Sequence, residues 1–379
     1  MRRLAIAAVC LLGALPARAH GPAPVALEVL AHDGGAPTWL RTNVGLARAR
    51  GDGTYEYVCP SRWDDNELAR AAVSLDGDSI LVHSHGVAYL SRDAGCTFEA
   101  ITDDALYVTA AAGTADGFLL VAEDYPDDAD PDASRLLEVV DGALRPVEPP
   151  FPGRIDGVLG TASGDVLAGP GFVAGPAGAI TPLALDASRV TPRAVGDGGL
   201  LWLHATGGGA TWLVRIEDGA VIEGPPHDVI HGPVAVGGRW IAIFDGVVHE
   251  RSGGDWTPLG EPAWTCLGAR GARSFACSLS GTWALQGEDL LAESELVFSM
   301  RQLAPPRACG DAEATRACEL DWLHFGGESG WLDTAPARTP TEPRRPPGGC
   351  AARPGRGGSW ILTFVVLIAG SRARRRRRP

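Results

Sequence analysis

Ser91-Arg92-Asp93-Ala94-Gly95-Cys96-Thr97-Phe98 is the stretch of this 379-residue chain that decides its fold. The octet fits the pattern S-x-D-x-G-x-T-[FW] and follows the apolar run Val87–Leu90. An Asp carboxylate in such a turn accepts N–H groups of its own backbone, and a Ser hydroxyl bonds locally. The aromatic is then left to pack between strands. Ser91, Asp93, Gly95, Thr97 and Phe98 therefore read as structural residues of a strand–turn–strand connection, with no catalytic role.

Working outward from the octet, the same hairpin of strand, Gly-containing turn and strand recurs. It is read at Val44–Cys59, Val87–Ile101, Ser134–Glu148, Gly171–Leu185, Thr211–Pro225, Gly246–Glu261 and Gly281–Leu296. The starts lie 43, 47, 37, 40, 35 and 35 residues apart, near the ~40–50 of propeller blades. Most hairpins are preceded by a further β-rich run, as at Ser79–Ser84, Phe118–Glu123, Leu200–Ala205, Trp240–Phe244 and Phe275–Leu279. Fifty Gly and 29 Pro supply the turns, and no window shows strong helical periodicity. The expectation is an all-β chain: a seven-bladed β-propeller over residues 20–303, with four short strands per blade. The series also accommodates six or eight blades, because only the octet is well preserved. Gly51-Asp52-Gly53-Thr54-Tyr55 reads as a decayed copy that keeps the Thr-aromatic pair but has lost the Ser and the Asp of the pattern. Ser252–Trp256 is a more distant one.

The octet resembles the Asp-box, a BNR-like repeat of sialidase-like and sortilin-like β-propellers. The first 100 residues also resemble the opening of propeller-like surface proteins of myxobacteria. The matching residues are Thr42-Asn43-Val44-Gly45-Leu46, Tyr55-Glu56-Tyr57-Val58-Cys59 and Gly95-Cys96-Thr97-Phe98. That resemblance implies a secreted Asp-box propeller with a sorting tail, of unassigned activity.

Both ends read as addresses. Arg2 and Arg3, the apolar run Leu4–Leu15 and Ala17-Arg18-Ala19 form a secretory leader over 1–19, with the mature chain starting at His20. After a disulfide-closed extension, 304–335, comes a Pro/Gly/Arg-rich linker, 336–359, carrying Gly348-Gly349-Cys350. A short hydrophobic segment and an Arg-rich tail fill 360–379. This arrangement resembles the MYXO-CTERM sorting signal, which implies membrane passage by the C-terminal segment, cleavage near Cys350 by a sorting protease and display on the outer cell surface. The Arg cluster stays cytoplasmic by the positive-inside rule. A retained single-pass tail is the other reading.

Charge narrows the partners. Of 33 basic residues, all Arg, three lie in the leader and ten follow Thr341, leaving 20 against 45 acids, or about −25 for the region between. Such a surface repels phosphate backbones, so no nucleic-acid partner is expected. Cys59, Cys96, Cys266, Cys277, Cys309 and Cys318 form an even set, as disulfides in an exported protein require. Cys266 and Cys277 flank a turn at Gly271, Cys309 and Cys318 can close a short loop, and Cys59 with Cys96 would then join the first two blades.

No catalytic constellation emerges. Sialidase chemistry needs an Arg cluster and a Tyr nucleophile with acid partners. Of five tyrosines (Tyr55, Tyr57, Tyr89, Tyr107 and Tyr125) two sit in the first hairpin, and Gly153-Arg154-Ile155-Asp156 is a poor echo of the expected Arg-bearing strand. No cofactor is expected, with Ca²⁺ as the single candidate. Asp128, Asp130 and Asp132 offer alternating hard oxygen ligands, but Ala133 stands where an EF-hand needs Gly. His83 and His85 could share a strand face without a third zinc ligand, and His20 would begin a copper brace. The segment Cys309–Trp331 reads as a plug, a cap or a stalk. The function expected is a non-enzymatic, surface-displayed binding module for a glycan, peptide or protein. The alternatives are a glycan-active hydrolase or lyase with acids in the central channel and, third, an assembly scaffold.

Overall fold

Runs such as Ile80-Leu81-Val82, Phe118-Leu119-Leu120-Val121-Ala122 and Ile241-Ala242-Ile243-Phe244 are apolar at every position. A strand made from them must therefore be covered on both faces. The computed structural model describes residues 25–33, 36–64, 69–75, 77, 79–84, 86–103, 106–124, 134–270 and 273–329. It covers these runs by arranging seven antiparallel sheets as the blades of a β-propeller.

Blade 1 contains Ala26–Asp33, Ala36–Thr42, Gly45–Ala49 and Tyr55–Val58, and blade 2 Arg70–Val73, Ile80–Ser84, Val87–Ser91 and Glu99–Ala100. Blade 3 contains Leu106–Thr114, Gly117–Asp124, Arg135–Val140 and Ala143–Val147, and blade 4 Gly157–Leu159, Val166–Gly169, Phe172–Ala174 and Ile180–Pro182. Blade 5 is Arg189–Val195, Leu201–Gly207, Ala210–Glu217 and Ala220–His227. Blades 6 and 7 follow as Ile230–Val236, Arg239–Phe244, Val247–Arg251 and Thr257–Gly260, then Trp264–Arg270, Arg273–Ser278, Gly281–Ala284 and Glu295–Phe298. Each hairpin expected from the sequence is the outer pair of one blade, and each preceding run is the second strand.

Alternation along a strand feeds two interblade layers at once. Leu81 packs with blade 3 while Ile80 and Val82 pack with blade 1. Phe118, Leu120 and Ala122 face blade 2, whereas Leu119 and Val121 face Phe151, Ile155 and Leu167 of the blade 4 region. Ile241 and Ile243 join the blade 7 side, and Ala242 with Phe244 joins Trp202 and Leu213 of blade 5. Seven buried clusters thus correspond to seven interfaces. The first strands of successive blades touch around the whole ring, and the first strand of blade 1 meets that of blade 7. Close approach near the axis requires small residues: a Cβ on Gly113 would lie 1.9 Å from the Val73 carbonyl oxygen, and one on Gly160 equally close to that of Gly113.

Closure departs from the sequence expectation. The chain returns from blade 7 and adds Leu303–Ala304 to blade 1 as a fifth strand, parallel to Tyr55–Val58. Gln302 caps the turn before it, accepting from Ser299 N at 2.7 Å and donating to the Gly53 carbonyl at 3.0 Å. An 18-residue helix, Ala312–Ser329, follows, although no helical periodicity was expected there. Over residues 312–323 only Cys318 and Trp322 are buried, with the Trp322 ring 5.7 Å from Tyr57, while Leu320 and Leu323 stay exposed. The helix rests on the Pro60–Arg62 turn of blade 1. The extension is therefore a clasp on the rim of the disc rather than a plug in its channel.

Two disulfides also differ from the expected pairing. Cys59 bonds Cys318 and Cys96 bonds Cys309, instead of Cys59 with Cys96 and Cys309 with Cys318. The short-loop pairing fails because Cys309 precedes the helix and Cys318 sits within it. Cys266–Cys277 forms as expected, between directly opposed residues of an antiparallel pair.

The octet receives the returning chain. Asp93 Oδ1 accepts from Ser91 Oγ at 2.9 Å, Cys96 N at 3.1 Å and Thr97 N at 2.9 Å, while Oδ2 accepts from Thr97 Oγ1 at 2.7 Å. Burial acts to raise the Asp93 carboxyl, but these bonds outweigh it and hold it below the usual range. Gly95 adopts φ +83° and abuts Trp39 and Val58, and the Phe98 ring meets Trp63 edge-on at 5.2 Å. Arg307 then donates to the Asp93 carbonyl at 2.7 Å and lies 3.3 Å from the buried Glu56 carboxylate of blade 1. Arg62 bridges the Gly95 and Arg307 carbonyls. In the decayed copy the turn still has its acid, two residues later: Asp52 Oδ1 accepts from Thr54 N at 2.9 Å and Thr54 Oγ1 at 2.5 Å. The absence of an acid at the usual place therefore did not remove the turn-stabilising role.

Among the described residues no helix is long and apolar enough to cross a membrane. Residues 1–19, the linker with Gly348, Gly349 and Cys350, and the 360–379 tail lie outside the described residues.

The two rim disulfides close loops of 259 and 213 residues, against 11 for Cys266–Cys277. Cys96–Cys309 is nested inside Cys59–Cys318, so with one intact the other closes a ring of only about 45 residues. Chain entropy then predicts that replacing either rim pair by Ser costs about 4 kcal/mol, and the hairpin pair about 3 kcal/mol. Urea midpoints of the three double variants check this order, and equal midpoints would contradict it.

Candidate functional site at the channel mouth

In an antiparallel blade the start of the first strand and the end of the second lie at the same end of the disc. Blades 2 to 5 place polar side chains at these positions. On blade 2, Arg70 is the cross-strand partner of His83, and on blade 3 Tyr107 is that of Glu123. Blade 4 contributes Arg154 and Asp156 just ahead of its first strand, and blade 5 contributes Ser188 and Arg189. With Ser84, Gly86 and Thr109 they line a cavity of about 440 Å³. Gly86, at φ +89°, makes room for the Tyr107 ring, which a Cβ there would meet at 2.5 Å. The Val108 N–H donates to the Gly86 carbonyl at 2.8 Å and joins blade 3 to blade 2.

The charged groups divide into those that hold the blades and those left facing the cavity. Asp156 is buried, accepting from Arg154 Nε at 2.6 Å and from Val190 N at 2.7 Å, so both oxygens tie blade 4 to itself and to blade 5. Arg154 also donates to the Ser188 carbonyl. On blade 1 Arg41 pairs with Glu28 at 3.3 Å, and on blade 5 Arg193 Nε donates to His204 Nδ1 at 2.9 Å. Arg70 and Arg189 line the cavity without an acid or hydrogen-bond acceptor on their guanidinium groups among the described residues. Burial lowers the pKa of Arg70, and the like charges of Arg189 and Arg41 lower it further against the opposing pull of Glu28. Arg193 is lowered by burial, against the opposing pull of Glu28, with Arg70 and Arg189 lowering it further. These arginines feel one another across the channel. A concentration of positive charge has formed on the axis of a markedly acidic protein.

The histidines are kept neutral. Burial, then the charge of Arg70, pushes His83 down to about 4. Burial and Arg193 likewise hold His204 well below the usual value and lower His231. His83 is buried, and His85 lies outside the described residues. No group of three or more His, Cys, Asp or Glu side chains able to hold a metal occurs among the described residues. Asp128, Asp130, Asp132 and His20 lie outside them.

The octet is not part of this site. It joins the third and fourth strands of blade 2 and so lies at the opposite end of the disc. Tyr55 and Tyr57 are likewise structural, donating to the Pro37 and Val44 carbonyls at 2.8 and 2.7 Å. Burial lifts Tyr55 to about 12. Tyr107, 42% exposed, is the tyrosine at the cavity. Sequence reasoning missed Arg70, Arg189 and Arg193. A signal existed: Ala69-Arg70-Ala71, Gly153-Arg154-Ile155 and Ser188-Arg189-Val190 each put an Arg beside an apolar residue where a blade begins.

His83 is only 8% exposed, and its depressed pKa means that the unfolded chain binds the extra proton first. Its contribution is complete above pH ~6.5 and is lost as pH falls toward 4, about 3 kcal/mol over that window. His83→Gln should flatten that part of a stability-versus-pH curve, and an unchanged slope would contradict the assignment. Separately, Arg70→Gln and Arg189→Gln remove uncompensated like charges, so each should leave the melting temperature of the empty protein unchanged or raise it. A fall of several degrees would show that these guanidiniums are structural.

No protein-family model matches the chain, and no curated protein sequence matches it. Solved structures resemble its fold. Streptogramin B lyase is 12% identical over 68% of this chain and 91% of that one, with a TM-score of 0.48. YCF48 from Cyanidioschyzon merolae is 15% identical over 68% and 94%, with a TM-score of 0.44. The extracellular domain of the BT4673 system from B. thetaiotaomicron is 11% identical over 69% of this chain, with a TM-score of 0.46. The chain spans 38% of the length of that domain. These likenesses concern the propeller fold.

Proposed function

We propose that this protein is an exported, surface-displayed β-propeller that binds a ligand, without chemistry, at the arginine-lined channel mouth. The observation that carries the reading is the pair Arg70 and Arg189, which face a cavity of about 440 Å³ with no acid of their own among the described residues. Like charges held together at a stability cost point to a site shaped for a partner. Three disulfides support export into an oxidising compartment. On this reading the octet is an Asp-box turn of the BNR type. Residues 1–19 are a leader, and Gly348-Gly349-Cys350 with the Arg-rich tail forms a MYXO-CTERM-type signal recognised by a sorting protease after passage through the membrane.

The rival reading, a glycan-active enzyme, needs two working carboxylates. Of the two acids lining the cavity among the described residues, Asp156 has both oxygens engaged, which leaves Glu123. That supports binding over hydrolysis. The test is a titration of the purified protein over a glycan and peptide array, with chromogenic glycosides assayed in parallel. Saturable binding that disappears in Tyr107→Ala and Arg189→Gln, without turnover, is the expected result. Turnover that is lost in Glu123→Gln would replace this reading with the enzymatic one.

A further inference from the structure

We propose that Cys96–Cys309 is a thiol-exchange site, a reducible latch on the rim that an external dithiol opens while the ring stays closed. It lies away from the channel mouth and stands independently of the ligand-binding reading. The three disulfides differ in what surrounds them. Cys59 and Cys318 are both 0% exposed, and in the hairpin pair Cys277 is equally buried. Of the three, Cys96–Cys309 alone has both half-cystines partly exposed. A cation also sits on its sulfur, because Arg307 Nε donates to Cys96 Sγ at 3.1 Å.

Thiol–disulfide exchange follows access and the stability of the departing thiolate. Arg307 bears on the second. Its Nη2 donates to the Asp93 and Ala94 carbonyls at 2.7 and 3.4 Å, so the octet turn itself fixes the guanidinium beside Cys96. Neighbouring acids do not cancel that charge. Glu56, 3.3 Å from Arg307, also lies 3.9 Å from Arg50, and Asp93 is taken up by N–H and hydroxyl groups of its own turn. Arg62, donating to the Gly95 and Arg307 carbonyls, is a third cation in this corner. Three arginines against two acids leave it positive, which favours a thiolate on Cys96.

The reaction is a two-electron exchange. One thiolate of the dithiol attacks Cys309 Sγ, the Cys96–Cys309 bond breaks, and its electron pair leaves on Cys96 Sγ beside Arg307. The second thiol of the reductant gives its proton to solvent and attacks its own partner sulfur in the mixed disulfide. Cys309 departs as a thiolate and takes a proton from water, and the reductant leaves as a disulfide. Opening is local. Cys309 stays on the helix, its N–H donating to Thr315 Oγ1 at 3.1 Å, and Cys96 stays on the octet through Asp93. Cys59–Cys318 and the Leu303–Ala304 strand still hold the seam. The clasp therefore loses its covalent grip on blade 2, keeps that on blade 1, and leaves both sulfurs placed to close again.

Stepwise reduction of the purified full chain with dithiothreitol under native conditions, quenched with iodoacetamide and read by peptide mapping, tests this. Cys96 and Cys309 should be alkylated at dithiol concentrations that leave the other two disulfides intact and thermal unfolding cooperative. Arg307→Gln should slow the opening about threefold or more, and Arg307→Lys should restore most of the rate. In the opened protein the pH midpoint of Cys96 alkylation should lie below the ~8.5 of an ordinary thiol, and Arg307→Gln should raise it. Reduction of all three disulfides together, or of Cys59–Cys318 first, would overturn the latch. Selective opening at an equal or faster rate in Arg307→Gln would assign Arg307 to holding the rim alone and overturn the exchange site.

Discussion

Blade 7 and blade 1 have to be held together, because a ring of sheets with both faces buried exposes two apolar faces wherever it opens. Phe275, Cys277, Ala284 and Phe298 of blade 7 pack with Val29, Leu40, Tyr55 and Tyr57 of blade 1 in one continuous cluster. Tyr55 meets Phe298 edge-on at 4.6 Å and still satisfies its hydroxyl on the Pro37 carbonyl. Each of the other interfaces joins blades that are already linked through the chain. This one joins segments some 250 residues apart in sequence, so it carries the loop-closure entropy of the whole ring.

The clasp on the rim offsets that entropy. Leu303–Ala304 extends the sheet of blade 1, and Cys318 and Trp322 enter the same seam cluster. Cys96–Cys309 and Arg307 carry the clasp on to blade 2, so the returning chain grips two blades rather than one. The octet gains a meaning from this. Its carboxylate organises a turn whose backbone carbonyls and Cys96 are presented to the C-terminal segment. The turn is a socket for the segment that holds the ring shut.

With the ring held from its rim, the axis is released from structural duty. First strands packed through Gly113 and Gly160 converge closely, and the polar side chains at their starts meet across the mouth. Some of these, Arg154 with Asp156 and Arg41 with Glu28, are balanced pairs that set the spacing of the blades. Arg70 and Arg189 add charge that packing does not call for, whereas Arg193 is held by His204, beside histidines kept neutral by burial. Such concentrations are unfavourable in an empty protein and become favourable when an anion is bound.

The chain by itself determined the blades. Turn residues and apolar runs are local in sequence, so the outer hairpin of every blade, the second strands and the Cys266–Cys277 bridge could be read from neighbouring residues. The helix Ala312–Ser329 escaped because over residues 312–323 only Cys318 and Trp322 are buried, leaving little periodic apolar stripe to recognise. Tertiary structure alone decided the pairing of Cys59 with Cys318 and Cys96 with Cys309, since partners more than 200 residues apart are brought together by ring closure. It also decided the candidate site. Arg70, Tyr107 and Arg189 are separated by 37 and 82 positions and share a cavity only because blades 2, 3 and 5 begin at the same end of the disc. Strand pattern is a property of adjacent residues, whereas the chemistry at a propeller's axis depends on how many sheets close the circle and where each of them starts.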